Sequence, residues 1–116
     1  MMLPNTNPSS LDHVAMRVED IDFYVRFFKR VFKMEVSALE GDPERPSQLW
    51  IQGVIQLISD PDHKRTEGRL AHLAIRVTDV QAALYRAKEF GAVVHEKGPN
   101  WICLPDGSVF ELLEGS

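Results

Sequence analysis

A chain of 116 residues with 44% hydrophobic content fits one compact domain, and half of it, roughly 50 residues, would bury too little surface to stand comfortably alone. Thirteen Lys and Arg are dispersed among seventeen Asp and Glu, a net charge of −4, which excludes the concentrated basic face of a nucleic-acid binder. The single cysteine, Cys103, excludes an intrachain disulfide and matches a reducing, cytoplasmic setting; no apolar run approaches the roughly 18 residues that span a bilayer.

Met1 to Ser10, with Pro4, Asn5, Asn7 and Pro8, lacks the apolar core of a signal peptide and reads as a loose arm. From His13 to Val18 the chain alternates as a strand, with Val14, Met16 and Val18 on one face and His13, Ala15 and Arg17 on the other. The aliphatic face calls for a helix. IDFYVRFFKRVF supplies it, with Asp20 as cap and Ile21, Tyr24, Val25, Phe28, Val31 and Phe32 at helical spacing toward the core. Lys33 to Leu39 reads as a second strand. GDPERPS, from Gly41, carries two prolines and predicts a loop or edge rather than an inner strand. Leu49 to Ile51 and Val54 to Ile58 flank Gln52 and Gly53 as a hairpin. DPDHKRTEG, from Asp60, has no apolar residue and is the linker. Beyond it come a strand at Leu70 to Val77 and a helix over VQAALYRAKEF, capped by Asp79, ended by Gly91, with Val80, Ala83, Leu84 and Ala87 inward. Strands at Ala92 to Glu96, Trp101 to Leu104 and Val109 to Leu113 follow, with a Pro105, Asp106, Gly107 turn before the last.

The chain says one thing twice. LDHVAMRVEDI, from Leu11, returns as LAHLAIRVTDV, from Leu70, and GVIQLISD, from Gly53, is echoed by SVFELLEG, from Ser108, aligning Gln56 with Glu111. One domain over 1–116 is therefore expected to hold two βαβββ modules, 11–59 and 70–114, joined by a linker at 60–69.

Strand parity turns that duplication into chemistry. His13 and His72 lie opposite the helix-packing faces, so modules set side by side direct both imidazoles into one concavity. Gln56 and Glu111 sit centrally in aliphatic strands, where a polar group demands a partner. One divalent cation satisfies all four. The mixed nitrogen and oxygen donors suit Mn, Fe, Co, Ni or Zn, and the lack of thiolates argues against a structural zinc knot. Four ligands leave an octahedral ion two open positions, from which it can polarise a substrate carbonyl or enolate. A lone strand histidine is more often a hydrogen-bonded structural residue; four candidates in register favour the metal. Arg17, four residues past His13 on the same face, is placed to hold a carboxylate or phosphate, and Arg76 repeats it; either arginine could instead reach out to water. Trp50 and Trp101 are cavity walls or core. His63 in the linker and the unduplicated His95 are given no role, and Cys103 is read as a packed thiol.

The segments HVAMRVEDI, VIQL, HLAIRVTDV and PDGSVFELLE resemble the vicinal oxygen chelate superfamily over Leu11 to Glu114. That superfamily includes glyoxalase I, methylmalonyl-CoA epimerase, extradiol dioxygenases and the fosfomycin and bleomycin resistance proteins. The resemblance implies an α+β fold of two tandem βαβββ modules forming a cup-shaped or half-barrel sheet around a metal, with His13, Gln56, His72 and Glu111 as ligands. This ligand order is similar to the epimerase branch and glyoxalase I, whereas the dioxygenases and fosfomycin enzymes use three ligands. It implies that Glu111 also acts as a base, and that Glu44, with Glu40 as second choice, supplies another carboxylate. By the same likeness Arg17 matches an arginine that glyoxalase I uses for its thiol cofactor. Asp60, four past Gln56, would repel glutathione there. The implied function is a metal-dependent lyase or isomerase of glyoxalase or epimerase type, moving a proton beside a carbonyl of a small-molecule substrate. The alternatives are a binding or antibiotic-sequestering protein of the same fold, and a resistance transferase or ring-cleaving oxygenase, against which Gln56 counts. A homodimer is expected, and the ligand set comes either from one chain or from two that exchange modules.

Overall fold

Two βαβββ modules follow one another, in the order expected. The first comprises β1 (Ser10–Val18), α1 (Ile21–Phe32), β2 (Val36–Asp42), β3 (Arg45–Ile51) and β4 (Ile55–Ser59). The second comprises β5 (Leu70–Val77), α2 (Val80–Ala87), β6 (Val93–Val94), β7 (Trp101–Cys103) and β8 (Val109–Glu114). With eight strands in mixed pairings and two α-helices among the described residues, the architecture is α+β. This computed structural model describes residues 9–64 and 68–115, so positions 1–8 of the arm expected over Met1 to Ser10, and linker positions 65–67, lie outside the described residues, while Ser10 opens β1. The chain divides into two compact units, His13–His72 and Met1–Asp12 with Leu73–Ser116.

In the His13–His72 unit the strand order is β2-β3-β4-β1. β2, β3 and β4 are antiparallel neighbours, and β1 runs parallel to β4. One face of this sheet is aliphatic because Leu49 stands opposite Leu57, Ile51 opposite Ile55, and Met16 opposite Leu57. Val18, Ile21, Leu49, Ile51 and Leu57 are buried together, with Tyr24, Val25 and Phe28 of α1 packed on them. Asp20 starts that helix by accepting a hydrogen bond from Phe23 N–H (3.1 Å).

Two expectations for this unit change. Val31 and Phe32 were expected inward, yet they are 56% and 55% exposed; Tyr24, Val25 and Phe28 already cover the sheet, and Phe32 rests on the Phe27 ring, centroids 5.5 Å apart. β2 begins at Val36 rather than Lys33, because Lys33 turns left-handed (φ 61°) and Met34 N–H bonds back to Phe28 O (3.1 Å), so this segment ends the helix. The Gly41 to Ser47 tract takes the edge alternative, strand on either side of a turn at Pro43 and Glu44, with β2 outermost in the order. Pro46 is tolerated inside β3 because β4 pairs only from Gln48 onward, so the missing N–H falls where β2 alone is the neighbour, beside a ladder irregularity at Glu40 and Gly41. The hairpin at Gln52 and Gly53 forms as expected, with φ of 48° and 71° and Val54 N–H closing on Ile51 O (3.1 Å).

In the other unit the order is β5-β8-β7-β6, with β5 parallel to β8 and the remaining pairs antiparallel. Asp79 accepts from Ala82 N–H (3.1 Å) to start α2, which tightens into a 3-10 turn, Lys88–Phe90, and stops at left-handed Gly91 (φ 81°). A Cβ on Gly91 would stand 2.9 Å from Pro105 Cγ, so glycine is required there twice over. β6 is only Val93–Val94, shorter than the expected Ala92 to Glu96, because the chain folds back after His95: Gly98 N–H reaches His95 O and Trp101 N–H reaches Gly98 O. In the turn at Pro105 to Gly107, Ser108 N–H and hydroxyl hold the exposed Asp106 carboxyl below its ordinary pKa. Among the described residues no helix is long and apolar enough to cross a membrane.

Candidate metal centre

The sheet face turned away from α1 carries the chemistry. Ala15 on β1 stands opposite Gln56 on β4, Gln56 opposite Trp50 on β3, and Trp50 opposite Ala38 on β2, so one row crosses the unit. His13, two residues before Ala15, shares that face. Arg69, just before β5, is held beside the end of β1 by the Arg17 N–H bond to Arg69 O (2.8 Å). His72, on β5 itself, meets His13: their Nε2 atoms are 3.4 Å apart, with the rings edge to face at 79°. Both imidazoles are buried, at 8% and 4% exposure. Two nitrogens each about 2.1 Å from a common ion would be about 3.0 Å apart at an octahedral angle and about 3.4 Å at a tetrahedral one, so the pair, which is also within hydrogen-bond reach of itself, is close to the spacing of two ligands of one ion.

Gln56 is also buried, and its two amide ends differ sharply. Nε2 donates to Gln48 Oε1 at 2.7 Å; Oε1 has no hydrogen-bond partner. Among the described residues it is the one buried side-chain polar atom in that condition. Desolvating an unpaired carbonyl costs about 1–3 kcal/mol, so the oxygen is expensive to keep and suited to a cation. We predict that Gln56→Met raises the melting temperature of metal-free protein by a few °C, a gain of about 1 kcal/mol, because the orphan oxygen is gone. A drop in melting temperature would mark Gln56 as a structural residue.

The second unit repeats this register. Ala74 on β5 stands opposite Glu111 on β8, and Glu111 opposite Trp101 on β7. Ala15 and Ala74, both 0% exposed, thus place the smallest chiral side chain beside each candidate ligand, and a tryptophan lies on its other side. The duplication therefore extends from the sequence to strand pairing. Within the His13–His72 unit, the two imidazoles are a donor pair that could hold a metal ion.

The two duplicated arginines differ. The Arg76 guanidinium is taken up by Asp12 Oδ1 (2.7 Å from Nη2, 3.2 Å from Nε) and by Glu114 O. Arg17 is half-buried and its guanidinium makes no hydrogen bond or ion pair among the described residues. Glu44 is exposed in the β2–β3 turn, six residues from Trp50 and so about 20 Å along the strand from the Gln56 row. Glu40, by contrast, lies on β2 opposite Gln48 and accepts a hydrogen bond from Gln48 Nε2. Gln48 was missed from sequence, although parity with Trp50 two residues on puts it on the same face. His63 is buried rather than solvated in its linker, with Nδ1 3.3 Å from Asp60 Oδ2. His95 Nδ1 accepts from Lys97 N–H, and half-buried Cys103 donates to Leu104 O at 3.5 Å.

Residues 13–113 match the family model described as a glyoxalase-like domain. The structure is similar to methylmalonyl-CoA epimerase from Mycobacterium tuberculosis, at 25% identity and TM-score 0.64, covering 98% of this chain and 93% of that one. It is similar to a methylmalonyl-CoA epimerase in complex with methylmalonyl-CoA and NH4+, at 18% identity and TM-score 0.65, covering 95% and 96%. A 2,3-dioxygenase from Pseudomonas sp. KL28 has TM-score 0.64 and 16% identity, covering 92% of this chain but 42% of that one. No curated protein matches the chain.

Proposed function

Since the chain belongs to the glyoxalase-like domain family, we propose that it is a metal-dependent lyase or isomerase that moves a proton next to a substrate carbonyl. His13, Gln56, His72 and Glu111 would hold a divalent cation of the Mn, Fe, Co, Ni or Zn group. The observation that carries this reading is the buried pair of imidazole nitrogens 3.4 Å apart, together with a buried amide oxygen that has no partner. When bound, such a cation supplies Lewis-acid polarisation of the carbonyl.

The remaining work falls to the chain. Glu111 is the group that takes and returns the α-proton, at a carboxylate oxygen not engaged in ligation. Arg17, without a side-chain partner among the described residues, holds an anionic end of the substrate, a carboxylate or phosphate. Trp50 and Trp101 wall the bound substrate and exclude water. Arg76 serves at one remove, braced by Asp12. Glu44 has no part in this reading. The substrate class is an α-acyl or α-hydroxy carbonyl compound. A thioester is favoured by the likeness to an epimerase that binds methylmalonyl-CoA.

The test is α-proton exchange in D2O, followed by NMR with Co²⁺-loaded protein, on methylmalonyl-CoA and on the hemithioacetal of methylglyoxal. Exchange that disappears in Glu111→Gln supports the proposal. Tight binding of either compound without exchange at any metal would make the protein a binding module instead. In the same assay Arg17→Ala is expected to raise KM about tenfold to a hundredfold, the loss of one charge-assisted contact of about 1.5–3 kcal/mol, with a smaller change in kcat.

A further inference from the structure

The unpartnered oxygen of Gln56 raises the question of what keeps that amide from turning over. An amide flipped by 180° would put its NH2 where the oxygen stands, and a donor cannot ligate a cation. The answer lies in a chain of three side chains across β2, β3 and β4. Exposed Glu40 accepts from Gln48 Nε2, half-buried Gln48 accepts through Oε1 from Gln56 Nε2 at 2.7 Å, and buried Gln56 is left with Oε1 outward from the chain. An ionised carboxylate only accepts hydrogen bonds. Its presence therefore forces the NH2 of Gln48 toward β2, the oxygen of Gln48 toward β4, and the NH2 of Gln56 toward Gln48.

We propose that Glu40 and Gln48 are positioning residues that set the polarity of the Gln56 amide, so that its oxygen rather than its nitrogen is presented to the cation. The functional consequence rests on the metal reading above, whereas the polarity itself does not. Glu40 touches neither the ligand oxygen nor the imidazoles in this role; it acts at a distance of two hydrogen bonds, each aligned by cross-strand pairing of Glu40 with Gln48 and of Gln56 with Trp50, two residues along from Gln48.

The relay can be neutralised, reversed or rebuilt. E40Q removes the directional anchor, since an amide can donate or accept. If the two polarities become equally populated, Co²⁺ affinity falls about twofold. E40K reverses the anchor: an ammonium only donates, so Gln48 turns its oxygen to β2 and its NH2 to Gln56, whose oxygen is then consumed. Affinity is expected to fall about tenfold or more. The double variant E40Q/Q48E restores the polarity, because the carboxylate introduced on β3 accepts directly from Gln56 Nε2, and affinity is expected to return to within about twofold of wild type.

The deciding measurement is made on metal-free protein by NMR, as scalar coupling across the hydrogen bond from Gln56 Nε2 to the Gln48 side-chain carbonyl carbon. It should be present in wild type, and in E40K replaced by coupling from Gln48 Nε2 to the Gln56 carbonyl carbon. In E40Q/Q48E it should run from Gln56 Nε2 to the introduced carboxyl carbon. Wild-type coupling that persists unchanged in E40K overturns the relay, as does E40K affinity equal to that of wild type. Wild-type protein that shows the coupling but binds no Co²⁺ sinks the metal reading and the relay's role in it, while leaving the polarity of the amides established.

Discussion

His72→Ala is expected to bind divalent metal at least about 100-fold more weakly than wild type, a loss of about 2.7 kcal/mol or more. Losing a group that merely hydrogen-bonds a ligand costs metal sites about 10–100-fold, and this substitution removes a donor outright. The imidazole is 4% exposed and its Nε2 is 3.4 Å from that of His13, so truncation at Cβ leaves the ion short of a buried donor. Elemental analysis after gel filtration should find about one ion per wild-type chain and close to none in the variant. Thermal unfolding provides an independent reading. Metal that binds only the native state adds about 4.1 kcal/mol at a thousandfold excess over Kd, so wild type should melt well above its chelated form. The variant should be indifferent to chelation. Stoichiometric metal retained by His72→Ala would remove the basis for the proposed centre.

Leu57→Ala is expected to destabilise the fold by about 2–5 kcal/mol, a large share of the roughly 5–15 kcal/mol typical of a domain. Leu57 is 0% exposed and sits between Leu49 and Met16 in the sheet, under α1, so truncation leaves a cavity that rigid strands cannot close. The urea midpoint should fall with little change in slope, and the melting temperature should drop on the order of 10–20 °C. Val31→Ala, at a position 56% exposed, should change stability by no more than about 0.5 kcal/mol. Equal losses from both would mean that the last turn of α1 is covered by something that the described residues do not show.

Those two leucine and valine positions illustrate how far periodicity reaches. Helical spacing in IDFYVRFFKRVF correctly put Ile21, Tyr24, Val25 and Phe28 on the core but could not say where the sheet beneath them ends, so Val31 and Phe32 were carried inward with the rest. The caps Asp20 and Asp79 were legible because an N-cap is a local bond, closed within three residues. Pro46 was legible as the mark of an edge. Proline argues against an inner strand only where a neighbour needs its N–H, and the length of β4 decided that none does.

The site divides along the same line. Duplication alone made His13 equivalent to His72 and Gln56 equivalent to Glu111, and alternation alone put the histidines opposite the helix-packing face, because both properties are written residue by residue along one strand. Tertiary structure brought two imidazoles 59 residues apart to within 3.4 Å, set a tryptophan and an alanine on either side of each duplicated Glx, committed Arg76 to Asp12 while giving the Arg17 guanidinium no partner among the described residues, and oriented the Gln56 amide through Gln48 and Glu40. A strand's sequence specifies which side chains share a face, whereas the partner across the ladder and the direction of each hydrogen bond are set by registers between segments distant in the chain.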